Sequence, residues 1–134
     1  MTAVVTTLTK AARTIVASAA NTSGSTTRGR VDLQTAQGGF LTFKMTNGAT
    51  GPSAQCVANI LVSHNATMPA AASAGADWKT IYSVGNGVTA NVIGEWAIPV
   101  DQGIMSLEVE FTGNATQSVT VEAYLSEITN ASTA

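Results

Sequence analysis

The sequence predicts an all-β chain folded as a two-sheet antiparallel sandwich, most simply an eight-stranded jelly roll with an extended N-terminal arm. Three observations predict it. Apolar residues recur mainly with a period of two rather than 3.6. Turn residues divide the chain into eight short extended runs. No segment carries a strong amphipathic helix pattern. Eight strands suit a jelly roll because it closes two sheets around one core and limits exposed edges. An immunoglobulin-like sandwich is the nearest alternative, but no Cys–Trp–Cys framework supports it.

Residues 1–12 lack an alternating core pattern and read as the arm. Residues 13–129 read as a single sandwich domain, and 130–134 as a short flexible tail. The extended runs fall at 13–19, 27–34, 39–46, 55–64, 78–84, 89–98, 104–112 and 118–127. Three carry the clearest alternation. Leu41, Phe43 and Met45 alternate with Thr42, Lys44 and Thr46. Met105, Leu107, Val109 and Phe111 alternate with Ser106, Glu108, Glu110 and Thr112. Val119, Val121, Ala123 and Leu125 alternate with Thr120, Glu122 and Tyr124. Between the runs lie Asn21-Thr22-Ser23-Gly24, Asn47-Gly48, Gly51-Pro52, Asn86-Gly87, Asp101-Gln102-Gly103 and Gly113-Asn114, residues that accept positive φ or fix it where the chain reverses. Gly113-Asn114 reads as a hairpin connection. The loop 65–76 is long and Ala-rich, with room for one helical turn around 70–74; it reads as a surface crossover, with a functional lid as the alternative.

At 134 residues, 45% of them hydrophobic, the chain can bury one core without disulfide or metal staples. Only 10% of residues are charged, so Thr, Ser, Asn, Gly and Ala must cover much of the surface. Such a surface resists aggregation poorly unless partners cover part of it. The few charges are segregated. Lys10, Arg13, Arg28, Arg30 and Lys44 precede position 50 against the single acid Asp32, whereas Glu95, Asp101, Glu108, Glu110, Glu122 and Glu127 follow with no base. The basic part can dock on the acidic part of a neighbour, or fold back on its own.

The inventory for catalysis is thin. The single thiol, Cys56, and the single imidazole, His64, would be separated along one strand by roughly 26 Å, beyond hydrogen-bond reach. His64 reads as a strand-end histidine and Cys56 as a small core residue. Glu108 and Glu110 share a face, and with Glu122 on the next run they form an acidic patch if the two strands are neighbours. That patch could hold a hard cation such as calcium, but a solvated face or a partner contact is the simpler reading, and no metal or cofactor is expected. Phosphate-binding glycine loops are absent, and a sequence pI near 5.1 argues against nucleic acid. Arg28 and Arg30 flank Gly29 and so face one way, suited to an anionic contact or a salt bridge. Trp96 reads as core; Trp78, at a strand start and in phase with Tyr82, could anchor its loop or a partner, or serve a sugar. Ala17-Ser18-Ala19 mimics a signal-peptidase site, but no basic residue precedes Lys10, and no window approaches the roughly 18 apolar residues of a membrane span. The expectation is a soluble chain that is not exported, binding neither membrane nor nucleic acid and catalysing nothing.

The arm Thr6-Thr7-Leu8-Thr9-Lys10-Ala11-Ala12-Arg13, the run Gly39-Phe40-Leu41-Thr42-Phe43-Lys44, the turn Asn47-Gly48-Ala49-Thr50-Gly51-Pro52 and the segment Asp77-Trp78-Lys79-Thr80-Ile81-Tyr82 together resemble the small jelly-roll cement or decoration proteins of tailed-bacteriophage heads. The resemblance implies a homodimer or homotrimer, made in the host cytoplasm and clamped across joints between major capsid subunits on the capsid exterior. Lys10, Arg13, Arg28, Arg30, Trp78, Glu108, Glu110 and Glu122 are then the candidate partner-binding residues. A carbohydrate- or receptor-binding module of a tail fibre is the alternative.

Overall fold

The computed structural model describes residues 6–71, 75 and 77–133, with side chains described from 7 to 130 within those limits. Eight strands follow in order: β1 (Thr6–Asn21), β2 (Thr27–Asp32), β3 (Gly39–Asn47), β4 (Val57–Ser63), β5 (Lys79–Gly85), β6 (Ile93–Val100), β7 (Ser106–Thr112) and β8 (Val119–Thr133). Among the described residues there is no helix. One sheet has the order β1-β8-β3-β6 and the other β2-β7-β4-β5. β1 therefore pairs with β8, β2 with β7, β3 with β6 and β4 with β5, all antiparallel. This nesting, as if a folded two-stranded ribbon were wound around a core, is the jelly roll that the sequence predicts.

Alternation produces the core directly. Leu41, Phe43 and Met45 of β3, Leu107, Val109 and Phe111 of β7, and Val121, Ala123 and Leu125 of β8 are buried between the sheets with Ile60 of β4. All three clear period-two runs thus supply the two central strands of one sheet and one of the other, where burial on the inner face is complete.

The chain ends differ from expectation. Residues 6–12, read as an arm, are the first part of β1, and 130–133, read as a flexible tail, are the last part of β8. They pair with each other: Thr6 with Thr133, Leu8 with Ala131, Thr9 with Asn130 and Lys10 with Ile128. No alternation marks them because β3 accompanies β8 only as far as Glu127, opposite Gly39. The β2–β3 loop adds Gln37 N–H donating to Ile128 O and Ile128 N–H donating to Gly38 O, at 2.7 and 3.0 Å. Among the described residues, 6–9 and 130–133 then run on as a two-stranded ribbon, about 13 Å beyond the body. The helical turn expected around 70–74 falls largely on 72–74, outside the described residues. The hairpin expected at Gly113-Asn114 does not form, because β7 and β8 lie in different sheets; residues 113–118 cross from one sheet to the other, with Gly113 at φ 96° and Thr116 at φ 67°.

Four buried turn asparagines fix the opposite end of the sandwich. Asn21 Nδ2 donates to Asn114 Oδ1 at 2.6 Å, and Asn114 Nδ2 returns a bond to Asn21 O at 2.9 Å, tying the β1–β2 and β7–β8 connections. Asn86 Nδ2 donates to Asn47 Oδ1 at 3.0 Å, tying β3–β4 to β5–β6. These amides satisfy one another out of water, where an unpaired one costs about 1–3 kcal/mol.

At one corner the backbones of the two sheets approach each other closely. A Cβ on Gly29 of β2 would strike the carbonyl of Ile15 on β1, so only glycine allows the edge strands to close there. Gly29→Ala is expected to lower stability by at least about 2 kcal/mol in denaturant titration, because the obstacle is backbone and cannot turn aside.

Candidate functional site

The outer faces of the two sheets are treated differently, and the candidate site follows from that contrast. On the β2-β7-β4-β5 sheet, every residue from Ser106 to Phe111 is buried, so β7 is covered on both sides. The loop after β4, described at 65–71, 75 and 77, is tied down on this side of the sandwich. Arg30 donates from Nη1 to Pro69 O, and Trp78 donates from Nε1 to Ala70 O at 2.8 Å. Asn65 Nδ2 bonds Asp77 Oδ1 at 3.0 Å and closes the loop at its base. Trp78 is only 2% exposed and, like Leu61, is buried outside the main core cluster. It anchors its own loop and presents no platform to a sugar or partner. Tyr82, expected beside it, instead meets Phe43 edge-on at 6.3 Å, because a bulge between Ile60 and Leu61 shifts the β4–β5 register.

Across the outer face of this sheet runs a transverse polar row with one residue from each strand, buried at Glu110 and exposed at Arg28 and Ser83. Arg28 Nε donates to Glu110 Oε2 at 2.9 Å, Asn59 Nδ2 donates to Glu110 Oε1 at 2.9 Å, and Ser83 Oγ donates to Asn59 Oδ1 at 2.6 Å. The register places Arg28, Glu110, Asn59 and Ser83 opposite one another, so each bond also pins strand alignment. Glu108, fully buried, lies one step along, opposite Arg30 and Leu61. Arg28, Arg30, Glu108 and Glu110 are therefore occupied within the chain.

The outer face of the β1-β8-β3-β6 sheet has no such cover among the described residues. Phe40, Ser126 and Pro99 form one outward row, Thr42, Tyr124 and Ala97 the next, and Lys44, Glu122 and Glu95 a third. The second and third rows line a shallow groove of about 340 Å³, floored by Phe43 and Trp96, whose rings stack at 5.3 Å on the core side. Lys44 Nζ lies 3.7 Å from Glu122 and 3.9 Å from Glu95. The Tyr124 hydroxyl donates to Glu122 Oε2 at 3.0 Å, and that bond holds its pKa above the ordinary value of 10.0. Phe40 is 48% exposed and Tyr124 40%. The Lys44 ammonium stands between the two carboxylates and fills the gap that a general-acid and general-base pair would leave for substrate. The groove is equipped to bind polar and aromatic surface.

Glu122 thus stands on one sheet, and Glu108 and Glu110 on the other, so the three do not form the acidic patch considered from sequence; among the described residues no cluster of metal-ligating side chains occurs. Arg13 Nη1 lies 3.4 Å from the largely buried Glu127, across β1 and β8. Lys10 stands at the base of the ribbon, opposite Ile128, with no carboxylate within 4 Å among the described residues. Cys56 is fully buried and His64 exposed, with β4 between them. The groove was missed from sequence because its residues come from three strands. The signal present was the outward parity of Tyr124 and Glu122 alongside Thr42 and Lys44.

No protein-family model and no curated protein matches the chain. Solved structures similar in fold include a family 16 carbohydrate-binding module, at 8% identity and TM-score 0.46 over 87% of this chain and 75% of that one. Another is infectious bursal disease virus, Gx strain, at 15% identity and TM-score 0.49 over 90% and 32%. A third is the tailspike protein 4 domain of bacteriophage CBA120, at 10% identity and TM-score 0.44 over 92% and 19%. What is shared is the β-sandwich.

Two stability outcomes follow. Arg28→Met takes the guanidinium away from the buried carboxylate of Glu110 and is expected to cost about 2–3 kcal/mol, whereas Lys44→Met in the open triad should cost under about 1 kcal/mol; paired denaturation curves check the contrast. Burial pushes the Cys56 thiol up to about 11 from 9.0. The folded state therefore favours the protonated thiol, a stabilisation complete below pH 9 and lost as pH rises from 9 towards 11. Cys56→Ala should flatten that alkaline decline in Tm.

Proposed function

We propose that this chain is a structural protein of a bacteriophage particle, fixed to the outside of the assembled capsid, where it bridges neighbouring major capsid subunits and stabilises the shell. The observation that carries this reading is the ribbon of residues 6–9 and 130–133, which projects past the sandwich with Leu8 48% exposed. A lone two-stranded ribbon is marginal in water, so it is suited to gain its stability against a partner. The charge-poor surface supports the same reading, since it is better matched to burial in an assembly than to life as a dispersed monomer. Of the bases expected to contact partners, Arg13, Arg28 and Arg30 are held within the chain. The contact role passes to the ribbon and Lys10. A protein that binds only the assembled shell stabilises that shell by mass action, without catalysis, cofactor, nucleic acid or membrane.

The groove beside Tyr124 favours a second reading, a carbohydrate- or receptor-binding module of a virion appendage. Co-sedimentation with capsids lacking the chain separates the two. The wild-type chain is expected to saturate the shell in fixed ratio to coat protein. Leu8→Asp should weaken that binding at least tenfold, while Val88→Ser, at the far end, leaves it unchanged. Absence of shell binding together with glycan affinity abolished by Tyr124→Ala would establish the second reading instead.

A further inference from the structure

We infer that the open face of the β1-β8-β3-β6 sheet pairs with the same face of a second copy of this chain, about a two-fold axis lying across the strands. Four facts on that face lead to it. First, it has no cover among the described residues, whereas β7 at the middle of the opposite sheet is buried on both faces. Second, it carries exposed apolar side chains in its middle, Phe40 in one row and Tyr124 in the next. Third, it is electrically polar along the strands. Lys10 lies at the ribbon end, facing the same way as Thr14, which stands opposite Tyr124. Glu122 and Glu95 lie beyond the aromatic rows with only Lys44 between them, a net negative end. Fourth, the two ends are evenly disposed about the middle. Lys10 pairs with Ile128, six residues along β8 from Glu122, and the midpoint falls between the rows of Ser126 and Tyr124.

A two-fold axis through that midpoint is the operation that makes the face complementary to itself. It reverses strand direction while leaving β1 above β1 and β8 above β8. Lys10 of each copy then lies over the Glu122 end of the other, twice per pair, with Phe40 and Tyr124 of both copies packed between. Such an isologous contact closes on two subunits and does not propagate. Stacked sheets lie about 10 Å apart, a gap that a lysine and a glutamate reaching from opposite sides can bridge. Four strands at about 4.8 Å spacing over about 20 Å present on the order of 400 Å² per copy. With Pro99, Ile93 and the ribbon side chains at the margins, the pair approaches the roughly 1,000 Å² total of a specific weak dimer. Each copy's ribbon would project at an opposite end, so the pair offers two handles. The pairing does not depend on where those handles attach: a monomer that still binds shells would overturn it and leave the shell-binding reading intact.

Light scattering after size exclusion, on the full chain at tens of micromolar, tests the inference. The wild-type chain is expected to be a dimer, weakening as salt rises. Lys10→Glu reverses both ion pairs and should raise the dissociation constant by about tenfold or more. Glu122→Lys should do the same, and the double variant Lys10→Glu/Glu122→Lys should recover dimerisation. Tyr124→Arg, at the centre of the face, should give a monomer with unaltered circular dichroism. If Glu122→Lys fails to fold beside Lys44, Lys10→Glu and Tyr124→Arg decide the question alone. A wild-type monomer or trimer, or a dimer indifferent to both of those variants, would overturn the inference.

Discussion

The constraint on which the rest of this structure depends is the nesting of the strands, each from the first half of the chain pairing with one from the second. β1 lies on β8, β2 on β7 and β3 on both β6 and β8, so the basic first third is laid directly against the acidic last third. The segregation of charge, which suggests docking between molecules, is mostly resolved within one. Arg13 meets Glu127, Arg28 meets Glu110, and Lys44 meets Glu122 and Glu95. These pairs differ in consequence. Exposed pairs contribute little, whereas the buried carboxylate of Glu110 must keep its partners or become costly. Because the partners stand at matched register, the polar rows also oppose strand slippage, which would turn every core side chain to the wrong face.

From the same nesting comes the asymmetry that matters for function. The chain ties one long loop, through Trp78 and Arg30, on the side of the sheet where β7 buries Glu108 and Glu110. Nothing comparable remains for the other sheet among the described residues. The two longest strands, β1 and β8, are adjacent in that uncovered sheet and outrun their neighbours together, which creates the ribbon. An open face bearing Phe40 and Tyr124, and a ribbon bearing Leu8, are surfaces that other molecules can complete.

How far the fold could be read from the residues is clear at particular positions. Period-two alternation in 41–46, 105–112 and 119–125 marks three central strands because the inner face of each is apolar and buried, while the outer face is polar, open to solvent in β3 and β8 and buried in β7 around Glu108 and Glu110. Asn21, Asn47, Asn86 and Asn114 were legible as turn residues, but not as two mutually bonded pairs, since that depends on which turns share an end of the sandwich. The ribbon was illegible because a strand with no covered face has no pattern to show. Trp78 and Tyr82 appeared to share a face until the bulge at Ile60 and Leu61 broke their phase. Glu108, Glu110 and Glu122 would share a patch only if the runs that carry them were neighbouring strands, whereas a jelly roll sends β7 and β8 to different sheets.

Hydrogen–deuterium exchange, compared between the free chain at dilution and the chain bound to its particle, tests the central claim most directly. The account predicts fast exchange in 7–9 and 130–133 of the free chain, against slow exchange in β3, β7 and the body of β8. On the particle, the ribbon and the outward edge of β1 should become protected while the core is unchanged. A ribbon as protected in the dilute free chain as the core, or one still exchanging freely on the particle, would contradict the claim that it is the part of the molecule left for assembly.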